Sequence, residues 1–100
     1  GRGAGPVEHD VPSGAGVVLV VETLSPELAA HLPRLAGLVS ETGSTLSHLA
    51  ILAREFGVPT VVAVPGARQR FPVGSTVLVD GGTGEVAAVA GPEPAAELAR

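Results

Sequence analysis

The sequence predicts a small α/β domain in which short mixed sheets pack against a few helices. Its 100 residues suffice for one domain with a single modest core. A hydrophobic content of 45%, rich in Val, Ala and Leu, indicates a chain that folds around a buried interior. Fourteen glycines and nine prolines favour many short elements joined by tight turns over a bundle of helices.

The first forty residues predict strands on either side of one short helix. Residues 1–16, with five glycines and two prolines, indicate an irregular lead-in or an early edge strand. Residues 17–21 are an unbroken run of Val and Leu, typical of a strand that is buried on both faces. A helix is predicted from an N-cap at Ser25 to a stop near Pro33, and residues 37–40 predict the next strand. Three leucines would line the buried face of this helix at i, i+4 and i+7: Leu28, Leu32 and Leu35.

Residues 37–64 predict a strand–loop–helix–strand unit whose two strands are parallel. Its strands are residues 37–40 and 60–64, and its helix runs from His48 to Phe56. Gly57 takes the place of a left-handed C-terminal cap, and Pro59 prevents the helix from continuing.

The last part of the domain predicts a hairpin, with strands at residues 76–79 and 85–89. Its loop, residues 80–84, is rich in glycine. We interpret this loop as a turn, because phosphate-binding loops of that type open a helix. Residues 91–100 resemble a linker or tail, so the folded domain is predicted over residues 1–90.

Composition and charge argue against several classes of protein. Two aromatic residues, no lysine and a net charge of −4 disfavour a nucleic-acid partner. No stretch approaches the ~20 apolar residues that cross a bilayer, so no membrane partner is expected. The absence of cysteine excludes disulfides, and three histidines without a matching carboxylate cluster predict no metal site. A cytoplasmic location is the expectation.

The feature that carries chemistry is a loop of glycine and hydroxyl residues that delivers one histidine, His48, to the start of a helix. Unpaired N–H groups and a partial positive charge at a helix N-terminus form an anion site that suits phosphate.

Other residues near the loop fit such a site. Gly43 allows close approach of an anion to the backbone. Arg54 can reach a phosphate or form a structural ion pair. Taken alone, a single histidine such as His48 is more commonly an ordinary polar residue at a helix start. The hydroxyl groups of the loop belong to Thr42, Ser44, Thr45 and Ser47.

Residues 42–59 resemble the active-site signature of the phosphoenolpyruvate-utilising enzyme mobile domain. The family pattern is Gly-Gly, two residues, then Ser, Thr or Cys before His, and a helix that ends in Ala-Arg, two residues, Gly, Ile or Val, and Pro. Residues 77–86 resemble the closing hairpin of the family, and the resemblance covers roughly residues 5–90. The family includes phosphoenolpyruvate synthase, pyruvate phosphate dikinase, enzyme I of the sugar phosphotransferase system and rifampicin phosphotransferase.

The resemblance implies a swivelling β/β/α domain whose histidine is transiently phosphorylated from ATP or phosphoenolpyruvate. His48 would be the catalytic residue, Gly43, Thr45 and Ser47 would border the phosphoryl group, and Arg54 is a further phosphoryl-binding candidate. Such a domain shuttles between an ATP-grasp nucleotide-binding domain and an acceptor- or phosphoenolpyruvate-binding domain, of the same or a partner chain. Because the sequence has no P-loop and no acidic Mg²⁺ cluster, no cofactor is expected on this domain, and Mg²⁺ and ATP are expected on the partner domains.

Two positions depart from the family pattern. Ser44 stands where the second glycine usually lies, and Leu46 stands where many members have Thr. Leu before Ser-His resembles the synthase-like and rifampicin-phosphotransferase-like branches more than enzyme I. The departures keep a second hypothesis open, a non-catalytic swivelling module for interaction or regulation. A third hypothesis is a small-molecule-binding domain that holds an anion without covalent chemistry. The acceptor, and whether the chain is an excised domain or a stand-alone carrier, also stay open.

Overall fold

The computed structural model describes residues 2–9, 12, 14–43 and 47–90. Within them six strands form one sheet in the order β4-β3-β2-β1-β5-β6. The strands are β1 (Arg2–Glu8), β2 (Val17–Val21), β3 (Leu35–Ser40), β4 (Thr60–Val61), β5 (Thr76–Asp80) and β6 (Glu85–Ala90). The helices are a 3-10 helix (Pro26–Arg34), α1 (His48–Glu55) and α2 (Ala67–Arg70). The mixed α/β class is therefore confirmed.

Strand β1 joins a parallel half of the sheet to an antiparallel half. Its last residues, Val7 and Glu8, pair in parallel with β2, and residues 2–6 pair antiparallel with β5. The pairs β2–β3 and β3–β4 are parallel, as the strand–loop–helix–strand pattern predicts. Strands β5 and β6 form the predicted antiparallel hairpin. Because β1 changes partners along its length, the sheet curls.

Strand β2 is buried along its whole length, as its sequence predicts. Val17, Leu19 and Val21 face a core that contains the 3-10 helix and α1. Val18 and Val20 face a second core on the opposite side of the sheet. This second core is formed by residues of several other strands and of the α2 region, namely Val7, Val39, Val61, Ala67, Phe71, Val77 and Val79.

The prediction of an irregular segment or an edge strand is wrong for residues 2–8, because β1 lies inside the sheet between β2 and β5. Two of the glycines that suggested irregularity, Gly3 and Gly5, are instead required by close packing. A Cβ atom on Gly5 would collide with the carbonyl oxygen of Gly16, and one on Gly3 would collide with that of Ala36. Such an approach between backbones cannot be read from glycine content.

The helix after β2 also differs from the prediction. Leu28 and Leu32 are buried, but Leu35 is the first residue of β3, and the turns between are of the tighter 3-10 type. Ser25 is the N-cap residue, as predicted, but its side chain makes no hydrogen bond to the backbone N–H groups of the helix. Its side chain instead hydrogen-bonds Glu27, which lowers the pKa of that carboxyl group.

Helix α1 agrees with the prediction to within one residue, and Gly57 has the expected left-handed conformation, with φ 76°. Strand β4 is shorter than predicted, because the chain turns away at Ala63, whose φ is 60°. The short helix α2 was not predicted. No helix of the described segments is both long and apolar enough to cross a membrane. Residues 91–100 lie outside the described residues, so a linker there stays a prediction.

The close packing of β1 predicts unequal effects of alanine at two glycines. Gly5→Ala is expected to lower the free energy of unfolding by about 1–3 kcal/mol, because the new methyl group meets the backbone of Gly16. At Gly14 a Cβ atom would have nothing within 4 Å, so Gly14→Ala is the matched control. The control is expected to leave the stability unchanged or to raise it by up to about 1 kcal/mol. Urea unfolding of the three chains measures this difference, and equal stability of the two variants would contradict the packing argument.

Candidate functional site

His48 lies at the carboxyl edge of the parallel strands. Strand β3 ends at Ser40, and the following loop leads to α1, of which His48 is the first residue. In open α/β sheets this edge is the usual place for ligands, since loops from neighbouring strands converge there. The side chain of His48 is exposed, whereas Leu49, Ala50 and Ala53 of the same helix are buried. The buried residues anchor α1 to the core, and the helix presents the imidazole to solvent.

Ser47 is the N-cap residue of α1. Its Oγ accepts a hydrogen bond from the N–H of Ala50 at 3.2 Å, and its carbonyl oxygen accepts one from the N–H of Ile51 at 3.0 Å. The N–H groups of His48 and Leu49 have no acceptor among the described residues. Free amides at a helix N-terminus favour an anion. Ser47 uses a lone pair for the cap, so the cap does not use its hydroxyl hydrogen.

A groove of about 380 Å³ opens beside the imidazole, between α1 and the 3-10 helix. It is largely apolar, and its walls are formed by Leu24, Pro26, Ala29, Ser47, His48, Leu49 and Leu52. The sequence predicted a core helix at residues 25–33, but it did not predict that this helix forms one wall of a groove beside His48. The contact joins segments that are about twenty residues apart, and no local pattern marks it.

The loop acid Glu41 points away from this groove. Its Oε2 accepts a hydrogen bond from the N–H of Arg68 at 2.8 Å, at the start of α2. No group of three or more His, Asp or Glu side chains in the described ranges is arranged to hold a metal ion. The surroundings of His48 in these ranges therefore consist of backbone amides, a hydroxyl group and apolar side chains.

Gly43 lies at the end of the described part of the loop, with φ 109°, a left-handed conformation that favours glycine. A Cβ atom there would have Leu24 Cδ1 as its nearest neighbour, at 4.0 Å. Glycine is therefore required at this position by the backbone angle rather than by lack of space. Thr45, the third residue predicted to border the phosphoryl group, lies outside the described residues.

Arg54 is not brought to His48 by this arrangement. It lies in the last turn of α1, and six residues of helix separate the two residues by ~9 Å along the axis. The side chain lines a different groove, of about 330 Å³, with residues 57–60 and the glycines of the β5–β6 turn. Its phosphoryl-binding role stays a prediction.

Two loops at the carboxyl edge are tied together by hydrogen bonds that sequence reasoning missed. Ser40, at the end of β3, is fully buried, and its Oγ donates to the carbonyl oxygen of Thr42 at 2.6 Å. Thr42 donates to the carbonyl oxygen of Glu22, from its Oγ1 at 3.0 Å and from its N–H at 3.1 Å. The only local signal is a serine at the end of an otherwise apolar strand.

Comparison with known proteins identifies the family. Residues 13–84 match the family described as PEP-utilising enzyme, mobile domain. A phosphoenolpyruvate-protein phosphotransferase of Streptomyces coelicolor is 49% identical over 84 residues, which are 82% of this chain and 15% of that protein. A probable phosphoenolpyruvate synthase of Pyrococcus abyssi is 37% identical over 71 residues, which are 71% of this chain and 9% of that protein. The chain thus spans a small part of these relatives, which contain other domains.

Solved structures agree with the fold. The solution structure of an Enzyme I protein superposes with a TM-score of 0.67 at 26% identity, over 87% of this chain and 36% of that one. The N-terminal domain of Enzyme 1-Nitrogen superposes with a TM-score of 0.61 at 29% identity, over 90% of this chain and 37% of that one. These similarities include enzyme I, so Leu46 alone does not assign the chain to the synthase-like branch.

The signature around His48 thus occurs within a match that covers most of the chain, on the fold of the Enzyme I structures. This chain belongs to the mobile-domain family of phosphoenolpyruvate-utilising enzymes and is a domain of the phosphotransferase class.

Proposed function

We propose that this chain is the phosphoryl-carrier domain of a multidomain phosphotransferase, and that His48 carries the phosphoryl group. The observation that carries the proposal is the position of the imidazole, which is exposed at the first residue of α1. The amides of His48 and Leu49 lie beside it at the carboxyl edge of the sheet. An exposed nucleophile next to an anion site is the arrangement that a transferable phosphoryl group requires.

The proposed reaction consists of two transfers. A ring nitrogen of His48 attacks the phosphorus of ATP or phosphoenolpyruvate, an N–P bond forms, and the O–P bond of the donor breaks with its electron pair on the leaving oxygen. The acceptor then attacks the same phosphorus, and the imidazole leaves. Covalent catalysis divides one difficult transfer into two easier ones. The N-terminus of α1 would stabilise the bound phosphoryl dianion by about 0.3–1 kcal/mol.

The other components of the reaction are proposed to lie outside this chain. The groove beside His48 is mainly apolar and offers few groups to a nucleotide or a metal ion. We therefore assign Mg²⁺ and ATP to an ATP-grasp domain, and the acceptor or phosphoenolpyruvate to a further domain of the same or a partner chain. The length of the relatives outside the matched region supports such domains. Cytoplasmic location is part of the same proposal.

Replacement of the histidine tests the carrier role in the full-length protein. His48→Asn is expected to abolish acid-labile labelling by radioactive ATP or phosphoenolpyruvate, because the attacking nitrogen is lost. The free energy of unfolding should change by less than about 1 kcal/mol, since the side chain is exposed. His31→Asn is the matched control, because His31 lies on the 3-10 helix and its ring contacts only Arg34 among the hydrogen bonds of the described residues. Full labelling of a folded His48→Asn protein would reject the carrier role in favour of the non-catalytic module.

Ser47 separates helix capping from phosphoryl binding. Ser47→Ala is expected to lower the free energy of unfolding by about 1 kcal/mol, because the N–H of Ala50 loses its acceptor. Ser47→Asp keeps an N-cap acceptor and the stability, but its negative charge should repel the incoming phosphoryl group and slow labelling of His48. Thermal unfolding and the rate of labelling are measured on the same samples. If Ser47→Asp is labelled as fast as the unaltered protein, Ser47 serves only as a cap.

The division of labour between domains predicts that the chain alone is inactive. Labelled ATP with Mg²⁺ should transfer no phosphate to the isolated 100 residues, whereas the full-length protein should be labelled on His48. Calorimetry should also detect no tight binding of Mg-ATP to the isolated chain. Tight binding or labelling of the isolated chain would show that the nucleotide site lies within these residues.

A further inference from the structure

Three donor atoms of the segment that leads to His48 lie within hydrogen-bond distance of the carbonyl oxygen of Glu22. They are the N–H of Thr42 at 3.1 Å, the Oγ1 of Thr42 at 3.0 Å and the Oγ of Ser40 at 3.3 Å. Glu22 follows β2, and Thr42 follows β3. The contacts therefore join the loops after two neighbouring parallel strands. Three groups make up what we call the loop clamp: the hydroxyl groups of Ser40 and Thr42 and the carbonyl group of Glu22.

The donors in the loop clamp can be assigned from geometry. Ser40 Oγ has one hydrogen, and its contact with the carbonyl oxygen of Thr42, at 2.6 Å, is much shorter than its contact with Glu22. Thr42 Oγ1 donates its single hydrogen to Glu22, so the neighbouring Thr23 hydroxyl, at 3.2 Å, donates to Thr42 Oγ1. The hydroxyl hydrogen of Thr42 is thus used within the protein rather than offered to a ligand.

Because Ser40 is buried, the hydrogen bond of its hydroxyl group affects the path of the following loop. Ser40 is fully buried at the end of a strand whose neighbouring residues, Leu38 and Val39, are also fully buried. A hydroxyl group in such a place is costly unless it is hydrogen-bonded. Its partner is the backbone of the loop two residues ahead rather than another strand. The bond therefore directs the chain as it leaves β3.

The loop clamp adjoins both sides of the proposed site. On one side, Glu22 is two residues before Leu24, which lines the groove beside His48. On the other side, Thr42 directly precedes Gly43 in the chain. The backbone of Gly43 is left-handed and lies next to the Leu24 side chain. A shift of Thr42 relative to Glu22 would therefore move Gly43 relative to this wall of the groove.

We propose that Ser40 and Thr42 are positioning residues for phosphoryl transfer, which act by fixing the Gly43 end of the loop relative to His48. This inference rests on the proposed carrier function. Transfer between a nucleophile and phosphorus is sensitive to misplacement by about 1 Å, whereas loss of the exposed Thr42 hydroxyl group has little effect on folding. Loss of this hydroxyl group should accordingly affect the rate of transfer more than the stability of the fold.

The test compares two substitutions at exposed Thr42 in the full-length protein, with His48 labelling followed in single turnovers. Thr42→Val keeps the shape and removes the donor, and it is expected to slow labelling roughly tenfold at saturating donor. Thr42→Ser keeps the donor and is expected to stay within about twofold of the unaltered protein. Thr60→Val is the matched control, because Thr60 Oγ1 also donates to a backbone carbonyl oxygen, that of Val58 at 2.9 Å, away from the site. The half-saturating donor concentration should be the same in all four proteins, since the donor is bound elsewhere.

A second pair of variants tests whether the loop clamp acts as a unit. Ser40→Ala should slow labelling about as much as Thr42→Val, and the double variant should be no slower than either, because both hydrogen bonds are needed to hold the same residue, Thr42, in place. Equal rates for Thr42→Val and the unaltered protein would overturn the inference, as would equally slow Thr42→Val and Thr42→Ser proteins or multiplying effects in the double variant. Absence of label from His48 in the unaltered protein would instead overturn the carrier function and the inference with it.

Discussion

Strand β2 is buried on both faces, and its parallel neighbours β1 and β3 depend on it for their direction. Its five aliphatic residues supply side chains alternately to the two cores, so the 3-10 helix and α1 cover one face, while the curled end of the sheet and α2 cover the other. Parallel strands in this arrangement end at the same edge, which is where their loops meet. The position of His48 follows from this constraint, because β3 leads into the loop that begins α1.

Helix α1 combines rigidity with exposure at the site. The residues on its inner face are buried, namely Leu49, Ala50 and Ala53, and Ser47 caps its first turn. The imidazole contributes little to packing and is therefore free to contact other domains. This separation suits the proposed carrier role, in which the group that changes its chemical state would not be one that holds the fold together. Arg54, at the other end of the helix, lies on a different surface.

The local elements that sequence reasoning identified are those with strong short-range signals. The run at residues 17–21, the helix stop at Gly57 and Pro59, and the hairpin around residues 80–84 depend on side-chain pattern or on glycine geometry within a few residues. The 3-10 helix was less predictable, because leucine spacing does not separate an α-helix from a tighter helix that leads directly into a strand. Strand β1 was misplaced for a related reason. Its glycines are needed for contact with backbone far along the chain, and their content alone suggests a loop.

The sequence by itself determined the family and the place of His48 at the start of a helix, because the signature is contiguous and its glycine, proline and small residues have local effects. Only the tertiary structure decided what surrounds that histidine. Leu24 reaches the groove from the segment before the 3-10 helix, and Ala29 reaches it from the helix itself. Glu41 turns toward α2, and the Glu22 carbonyl group accepts hydrogen bonds from Thr42. These contacts join segments that are about twenty or more residues apart, and they exist because parallel strands bring their loops to one edge.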